Sequence, residues 1–425
     1  MQMAGGIPMP NISYNLPQAP QARLPMANLP QTPMQLRLPS ATLLPGTLSV
    51  PQGAQPQAEG KQMSMSLLRD MSFTPMKEEV LTATLSAMKQ PATKENVELA
   101  KSMVQSGVPL TQENVKDLKT ALSQLPNVKP SDMQAATFLK SAQLPMTPQN
   151  ITTLSNFIAT NPQLGACFFE ISKEFRRTID NKKGSISTDK MSIMSKTSNA
   201  MGELMMDSRA KGAAGNAKAF KNMAGQAGIN LPHYMMGSGD DELTELMQEL
   251  RKVLYYSQDE AGKELYSKLE QSFLKAEDAM MAQKLINRAN REGQENFYYI
   301  QIPMKVGNEE LTAEFKLFYT TDYEGRRVID KDNFEFELLV PSCNMGDSYF
   351  HVKAFNGIMN MNVGMENSWV ANYMERSLPL LMEKMSAIGF SSGDCGVYVR
   401  SDSEPALTAV EVESFEEMEA LDLSY

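Results

Sequence analysis

Residues 334–363 read FEFELLVPSCNMGDSYFHVKAFNGIMNMNV, and their periodicity decides the fold. Phe334, Phe336, Leu338 and Val340 alternate with Glu335 and Glu337, a period of two that marks a strand with one buried face. Asn356-Gly357 then supplies both residues of a tight turn that needs positive φ at each place. Folding the chain about that turn sets Ala354 opposite Met359, Val352 opposite Met361 and Phe350 opposite Val363 on an apolar face. The other face pairs Lys353 with Asn360 and His351 with Asn362. The two arms agree in register, so a hairpin is predicted.

Alternation also runs upstream, through Tyr298, Ile300 and Ile302 and through Leu311, Ala313, Phe315, Leu317 and Tyr319. These predict half-buried antiparallel strands. Downstream, Trp369 to Ile388 is amphipathic and ends at Gly389, and Val397 to Arg400 reads as a last strand. Two helices open the region: one after Asp240-Asp241 with Leu243, Leu246, Met247 and Leu250, another after Gly262 with Leu265, Leu269, Phe273 and Leu274. The prediction is an α+β fold with an antiparallel-rich sheet and one long packed helix, in a C-terminal domain 241–402 with its sheet core at about 297–400.

The opening stretch holds Cys343 and His351, but no carboxylate is expected to orient the imidazole, so the pair reads as the lip of a sheet. Gly389-Phe-Ser391-Ser-Gly393 matches a nucleophile elbow in letters alone, because a helix precedes it where the elbow needs a strand. Asp330-Lys-Asp332 starts like a calcium loop, but Phe334 stands at the third ligand position. The three cysteines, Cys167, Cys343 and Cys395, are too few and scattered for a disulfide framework or zinc site. No enzyme, cofactor or metal is expected.

Ahead of this domain the sequence repeats. Pro91-Ala-Thr93-Lys-Glu-Asn96-Val97 returns as Pro109-Leu-Thr111-Gln-Glu-Asn114-Val115 and as Pro145-Met-Thr147-Pro-Gln-Asn150-Ile151, with a degenerate copy around Ser131. Each copy predicts a helix start: the Thr hydroxyl caps the first turn, and Leu110 with Val115, Met146 with Ile151 and Ala92 with Val97 make staples. Residues 66–171 are therefore a helical repeat region. Residues 172–240, rich in Gly, Ser, Lys and Met, read as a flexible linker. Residues 1–62 hold 11 of the 24 prolines and a single acid, Glu59, and are expected to be a disordered arm. The tail 403–425 is acidic, although Val410, Val412, Phe415, Met418 and Leu421 could line one short helix that docks. A net charge of −10 argues against nucleic acid as a partner. With no run of roughly 20 apolar residues and no basic-then-apolar leader, a soluble cytoplasmic product is expected.

From Leu338 through the Pro341…Met345-Gly346 corner, the Asn-Gly hairpin, the helix to Gly389 and the final strand, residues 297–400 resemble the C-terminal domain of flagellar hook-length control proteins. Leu338, Pro341, Met345, Gly346 and Gly357 match that family's corner and turn, and Arg376, Leu380, Leu381 and Gly389 match its helix. Met345 stands where the family has leucine, and Pro379 should kink or restart the helix. The resemblance implies a non-enzymatic regulator of flagellar type III export, which controls hook length and switches export from hook-type to filament-type substrates. It also implies binding to the cytoplasmic domain of the export gate and to hook or hook-cap subunits, without nucleic acid or membrane insertion. Pro341, Met345, Gly346, Lys353 and Arg376 are the partner-binding candidates. The N-terminal arm would pass through the secretion channel. The alternative is a non-flagellar scaffold that docks through its helical repeats.

Overall fold

The computed structural model describes residues 77–181, 187–229, 242–289, 296–307, 309–323, 325–342 and 344–400. The expected arm 1–62, the acidic tail 403–425 and Cys343 lie outside these residues.

Helix α1 (Glu78–Ala87) precedes α2 (Lys94–Gln105), α3 (Gln112–Leu122), α4 (Pro130–Ser141) and α5 (Pro148–Thr160), and these four start 18 residues apart. The repeat explains the starts. Thr93, Thr111 and Thr147 accept from the backbone N–H of Asn96, Asn114 and Asn150 at 3.2–3.3 Å. The same asparagines donate from their side chains to the carbonyls of Pro91, Pro109 and Pro145 at 2.5, 2.9 and 2.8 Å. One threonine and one asparagine thus tie both the helix end and the incoming loop. In the degenerate copy the start falls at Pro130, where Asp132 accepts from the Lys129 N–H at 2.8 Å.

The expected linker 172–240 is mostly helical. Helix α6 (Leu164–Asn181) runs into it, and α7 (Thr188–Leu204), the short strand β1 (Met206–Asp207) and α8 (Ala213–Gln226) follow. Phe175, Met194, Met201, Leu204, Met223, Ala224, Ala227 and Ile229 are buried in the main core. Helix α8 is rich in Ala and Lys, good helix formers, whereas α7 holds several Ser, Thr and Asn and is fixed by the burial of Met194, Met201 and Leu204.

Helices α9 (Glu242–Tyr255) and α10 (Glu260–Arg288) lead to the sheet strands β2 (Phe297–Val306) and β3 (Glu309–Phe318). A separate two-stranded ribbon, β4 (Thr320–Thr321) with β5 (Arg327–Val328), comes next, then β6 (Asn333–Val340), β7 (Ser348–Phe355), β8 (Ile358–Met365), α11 (Ser368–Ala387) and β9 (Ser391–Val399). The seven-stranded sheet has the order β1-β2-β3-β6-β7-β8-β9, antiparallel except for the outer pairs β1/β2 and β8/β9. The hairpin pairs in the expected register, Val352 with Met361 and His351 with Asn362, and its turn residues have φ of 50° and 76°. Gly389 ends α11 with φ of 102°. Helix α11 continues through Pro379 without restarting. The proline lies on the exposed side, while Val370, Ala371 and Leu378 are buried on the other. Strand β9 starts at Ser391, earlier than Val397, because it pairs with β8 along most of its length.

Strands β2 and β3 are not half-buried. Gln301, Thr312 and Glu314 are as buried as Ile300 and Ala313 on the opposite face. Helices cover both sides: Gly165 at the start of α6 donates its N–H to Thr312 Oγ1 at 2.8 Å, and Phe220 on α8 packs edge-on against Phe315. The outer edge of β2 is closed by α10. Asn287 donates to the Tyr299 carbonyl and accepts from its N–H at 2.8 and 2.7 Å, and Gln283 accepts from the Gln301 N–H at 2.8 Å. Helix amides stand in for a neighbouring strand. One core consequently runs from Leu99 on α2 to Tyr319 after β3, so the repeat region and the start of the expected C-terminal domain fold as one body. A second core lies between α11 and β7/β8.

Candidate functional site

The five candidates fall in three places. Pro341, Met345 and Gly346 form the corner between β6 and β7. Ser342 organises it: its hydroxyl accepts from the backbone N–H of Asn344 and Met345 at 3.3 Å, and its carbonyl accepts from the Gly346 N–H at 2.9 Å. Ser342 and Asn344 both donate to the Glu309 carboxylate on β3. Met345 packs into the second core. Gly346 has φ of +72°, and a Cβ there would lie 2.1 Å from Glu366 Oε2. Corner and glycine shape the sheet end, and Pro341, Met345 and Gly346 are half-buried there.

Lys353 lies on the polar face of the hairpin. Its Nζ donates to Glu335 Oε2 at 2.9 Å, and His351 Nε2 is 2.7 Å from Glu335 Oε1. The expectation that no carboxylate is placed to orient His351 is therefore wrong: Glu335 does so from the neighbouring strand β6, which reading the hairpin alone could not show. Partial burial would raise its pKa, but the bonds from Lys353 and His351 outweigh that and hold it below the ordinary value. An ionised Glu335 can only accept, so Nε2 carries the hydrogen and the imidazole donates in a cross-strand ladder. Beside it Tyr349 donates to Glu337 at 3.0 Å, and Lys316 Nζ lies 3.7 Å from Glu337.

Arg376 lies across the sheet from Lys353, on the outward face of α11. Val370, Ala371, Met374, Leu378 and Leu381 turn inward. Trp369, Tyr373, Arg376 and Leu380 recur at i, i+4, i+7 and i+11 on the opposite side, which forms one strip along the helix. Trp369, Tyr373 and Leu380 are 61%, 59% and 58% exposed. Trp, Tyr and Arg on a rigid helix are the side chains that carry most binding energy in protein interfaces. Arg376 was legible as a candidate; the strip was not singled out, although its spacing is present in the sequence.

A buried polar group was also missed. Glu314 lies wholly inside, directly opposite Gln301. Burial pushes its carboxyl up to about 8, against bonds from Tyr299, Gln163 and Asn161 and the charge of Lys316. Glu314 Oε2 and Gln301 Oε1 have no hydrogen-bond partner. A proton on Glu314 gives the pair a donor, so the neutral acid suits this place.

Among the described residues no group of three or more His, Cys, Asp or Glu side chains is placed to hold a metal, and no helix is long and apolar enough to cross a membrane. Comparison with known protein families, with curated proteins and with solved structures finds no match.

Proposed function

We propose that this chain is a non-enzymatic regulator of flagellar type III export, with α11 as the surface that meets the cytoplasmic domain of the export gate. The observation that carries the reading is the strip Trp369–Tyr373–Arg376–Leu380. It is large, aromatic and exposed, and it belongs to a helix fixed from behind by the second core. The order of strand, corner, Asn-Gly hairpin, helix and strand supports the likeness to hook-length control proteins. The polar ladder around Lys353 lies on the opposite side of the sheet and is an independent face.

Two consequences follow from the packing. The packed helices within residues 77–229 would have to unfold before that part of the chain could thread a secretion channel. The scaffold reading loses support, because the apolar faces of the repeats are spent inside the main core: Val115, Leu118, Ile151 and Leu154 are buried there.

The test is capture of the purified export-gate domain by the full-length chain. Trp369→Ala with Leu380→Ala should weaken it tenfold or more, about 1.4 kcal/mol or above, with unchanged thermal unfolding. In a flagellated source, deletion of the protein should give overlong hooks without filaments. Normal hooks and filaments after deletion would reject the flagellar role.

A further inference from the structure

The two ends of the sheet are finished differently. Beside β2, where the sheet ends in the short β1, side-chain amides of α10 engage the backbone of Tyr299 and Gln301. At the other end β9 pairs with β8, and among the described residues no strand joins its outer side. The strand contains no proline and no lysine, the residues that commonly block an edge. Its one irregularity lies in its first half: between Met359 and Met361 the pairing advances from Ser392 to Cys395, and from Cys395 onward it is regular.

The Arg400 N–H donates to the Met365 carbonyl at 2.8 Å, which fixes the direction of the backbone groups. By the alternation of a parallel ladder, Gly396 and Tyr398 also turn their N–H and C=O toward β8, whereas Cys395, Val397 and Val399 turn theirs away. A second β9 running antiparallel can pair with those outward groups. The backbone alone permits several registers, with a two-fold axis at Gly396, Val397 or Tyr398 among them. Only the axis at Val397 sets Asp394 opposite Arg400 of the second copy, and symmetry makes that pair twice. Asp394 is exposed, and these two are the only charged residues in 391–400. Arg400 is placed by Tyr349, whose ring centroid lies 5.5 Å from the guanidinium carbon. The same register sets Tyr398 across from Gly396, where a Cβ would meet nothing within 4 Å, so the ring has room to lie over the glycine. Val397 faces its own copy, and the exposed Val399 faces Cys395. Opposite charges and an aromatic ring over an edge glycine are favourable cross-strand neighbours.

We propose that β9 is a self-pairing edge: two copies of this chain join their sheets through antiparallel β9 strands about a two-fold axis at Val397. The axis stands perpendicular to the sheet, so both α11 helices lie on one face of the joined sheet and both polar ladders on the other. A dimer thus presents two α11 strips to the same side, and a partner present in several copies is held by both at once. That last consequence rests on the docking role proposed for α11, whereas the pairing itself does not.

Sedimentation equilibrium of the full-length chain over a range of concentrations tests the pairing, with thermal unfolding as the check on each variant's fold. The parent chain should reach a dimer and no larger species. Val399→Pro removes an outward N–H while leaving the pairing with β8 intact, and should weaken the dimer tenfold or more at unchanged unfolding temperature. Asp394→Arg and Arg400→Asp each set like charges opposite one another in their own dimers, and each should weaken association by a similar factor. Mixed in equal amounts, the two variants place Arg opposite Asp at both ends, so the mixture should recover the association of the parent. If Arg400→Asp unfolds for want of its contact with Tyr349, Val399→Pro decides by itself. A parent chain that stays monomeric into the millimolar range overturns the proposal. Association that survives Val399→Pro and both charge reversals also overturns it and places the contact elsewhere, and so does a mixture no tighter than either variant alone. No export-gate protein is present, so failure of gate binding leaves this result standing.

Discussion

Glu314 shows what a single side chain can impose. In an unfolded chain its carboxyl ionises near 4.5; in the folded protein it does so at about 8. Between those values the folded state keeps a proton that the unfolded state releases. Stability therefore falls as pH rises across this window, by up to about 1.4 kcal/mol per pH unit, and levels off above it. Glu314→Gln keeps the shape and a hydrogen-bond donor at this place and removes the titration. The variant should match the parent near pH 4.5 and exceed it in urea midpoint at pH 8. Parallel midpoints across the range would mean that Glu314 is ionised inside the fold. Other buried acids, Glu277 and Asp278 among them, are also raised by burial, so only the difference between the two proteins isolates Glu314.

At the scale of elements, two helical glycines separate packing from propensity. A Cβ on Gly165 would lie 2.2 Å from the Leu311 carbonyl oxygen, which is backbone and cannot swing away, whereas Gly202 on α7 has nothing within 4 Å. Gly165→Ala should push α6 off β3 and cost about 1–3 kcal/mol or more by overpacking. Gly202→Ala should gain about 0.5–1 kcal/mol from helix propensity. Denaturant melts of the two variants check both signs. The hairpin offers a second contrast. Val352→Asp puts a carboxylate where the side chain is 1% exposed in the second core, and should cost several kcal/mol. Lys353→Asp removes a half-exposed ion pair with Glu335 and sets two carboxylates opposite each other, so a loss of about 1 kcal/mol or less is expected. Equal melting temperatures would contradict the register. The elements that were legible are those whose signal is local: the threonine caps, the Asn356-Gly357 turn, the alternation of β6. What was not legible depends on distant partners. Gln301 and Glu314 read as solvent-facing because nothing nearby in sequence shows α5 and α6 above them. Met194 and Met201 read as linker because their neighbours are poor helix formers. Glu335 was absent from the reading of His351 because it lies on another strand.

At the scale of the whole molecule, the shared core changes what counts as a folding unit. Sequence composition drew a boundary near residue 241, where polar Gly-rich sequence gives way to amphipathic helix and strand. The packing does not respect it. Phe157 on α5 meets Tyr299 on β2 edge-on, and Asn156 donates to Asp278 on α10 at 2.9 Å. Asn287 on α10 also donates to the Ala227 carbonyl after α8 at 2.8 Å. Cutting at 241 would bare Tyr299, Gln301, Thr312 and Glu314 to water and remove the helices that offset the cost of burying them. A fragment of residues 241–400 should then lose β2 and β3, keeping at most the α11 hairpin unit, whose own core has eight buried apolar residues among those described. Such a core is small for independent stability. A fragment of residues 77–400 should instead melt in one cooperative step. Limited proteolysis of the full-length chain with a non-specific protease provides the comparison. The expected product spans both sides of residue 241. Release of a stable, separable fragment starting near residue 241 would show that the two halves fold apart, and that the contacts of α5, α6 and α8 with β2 and β3 contribute little.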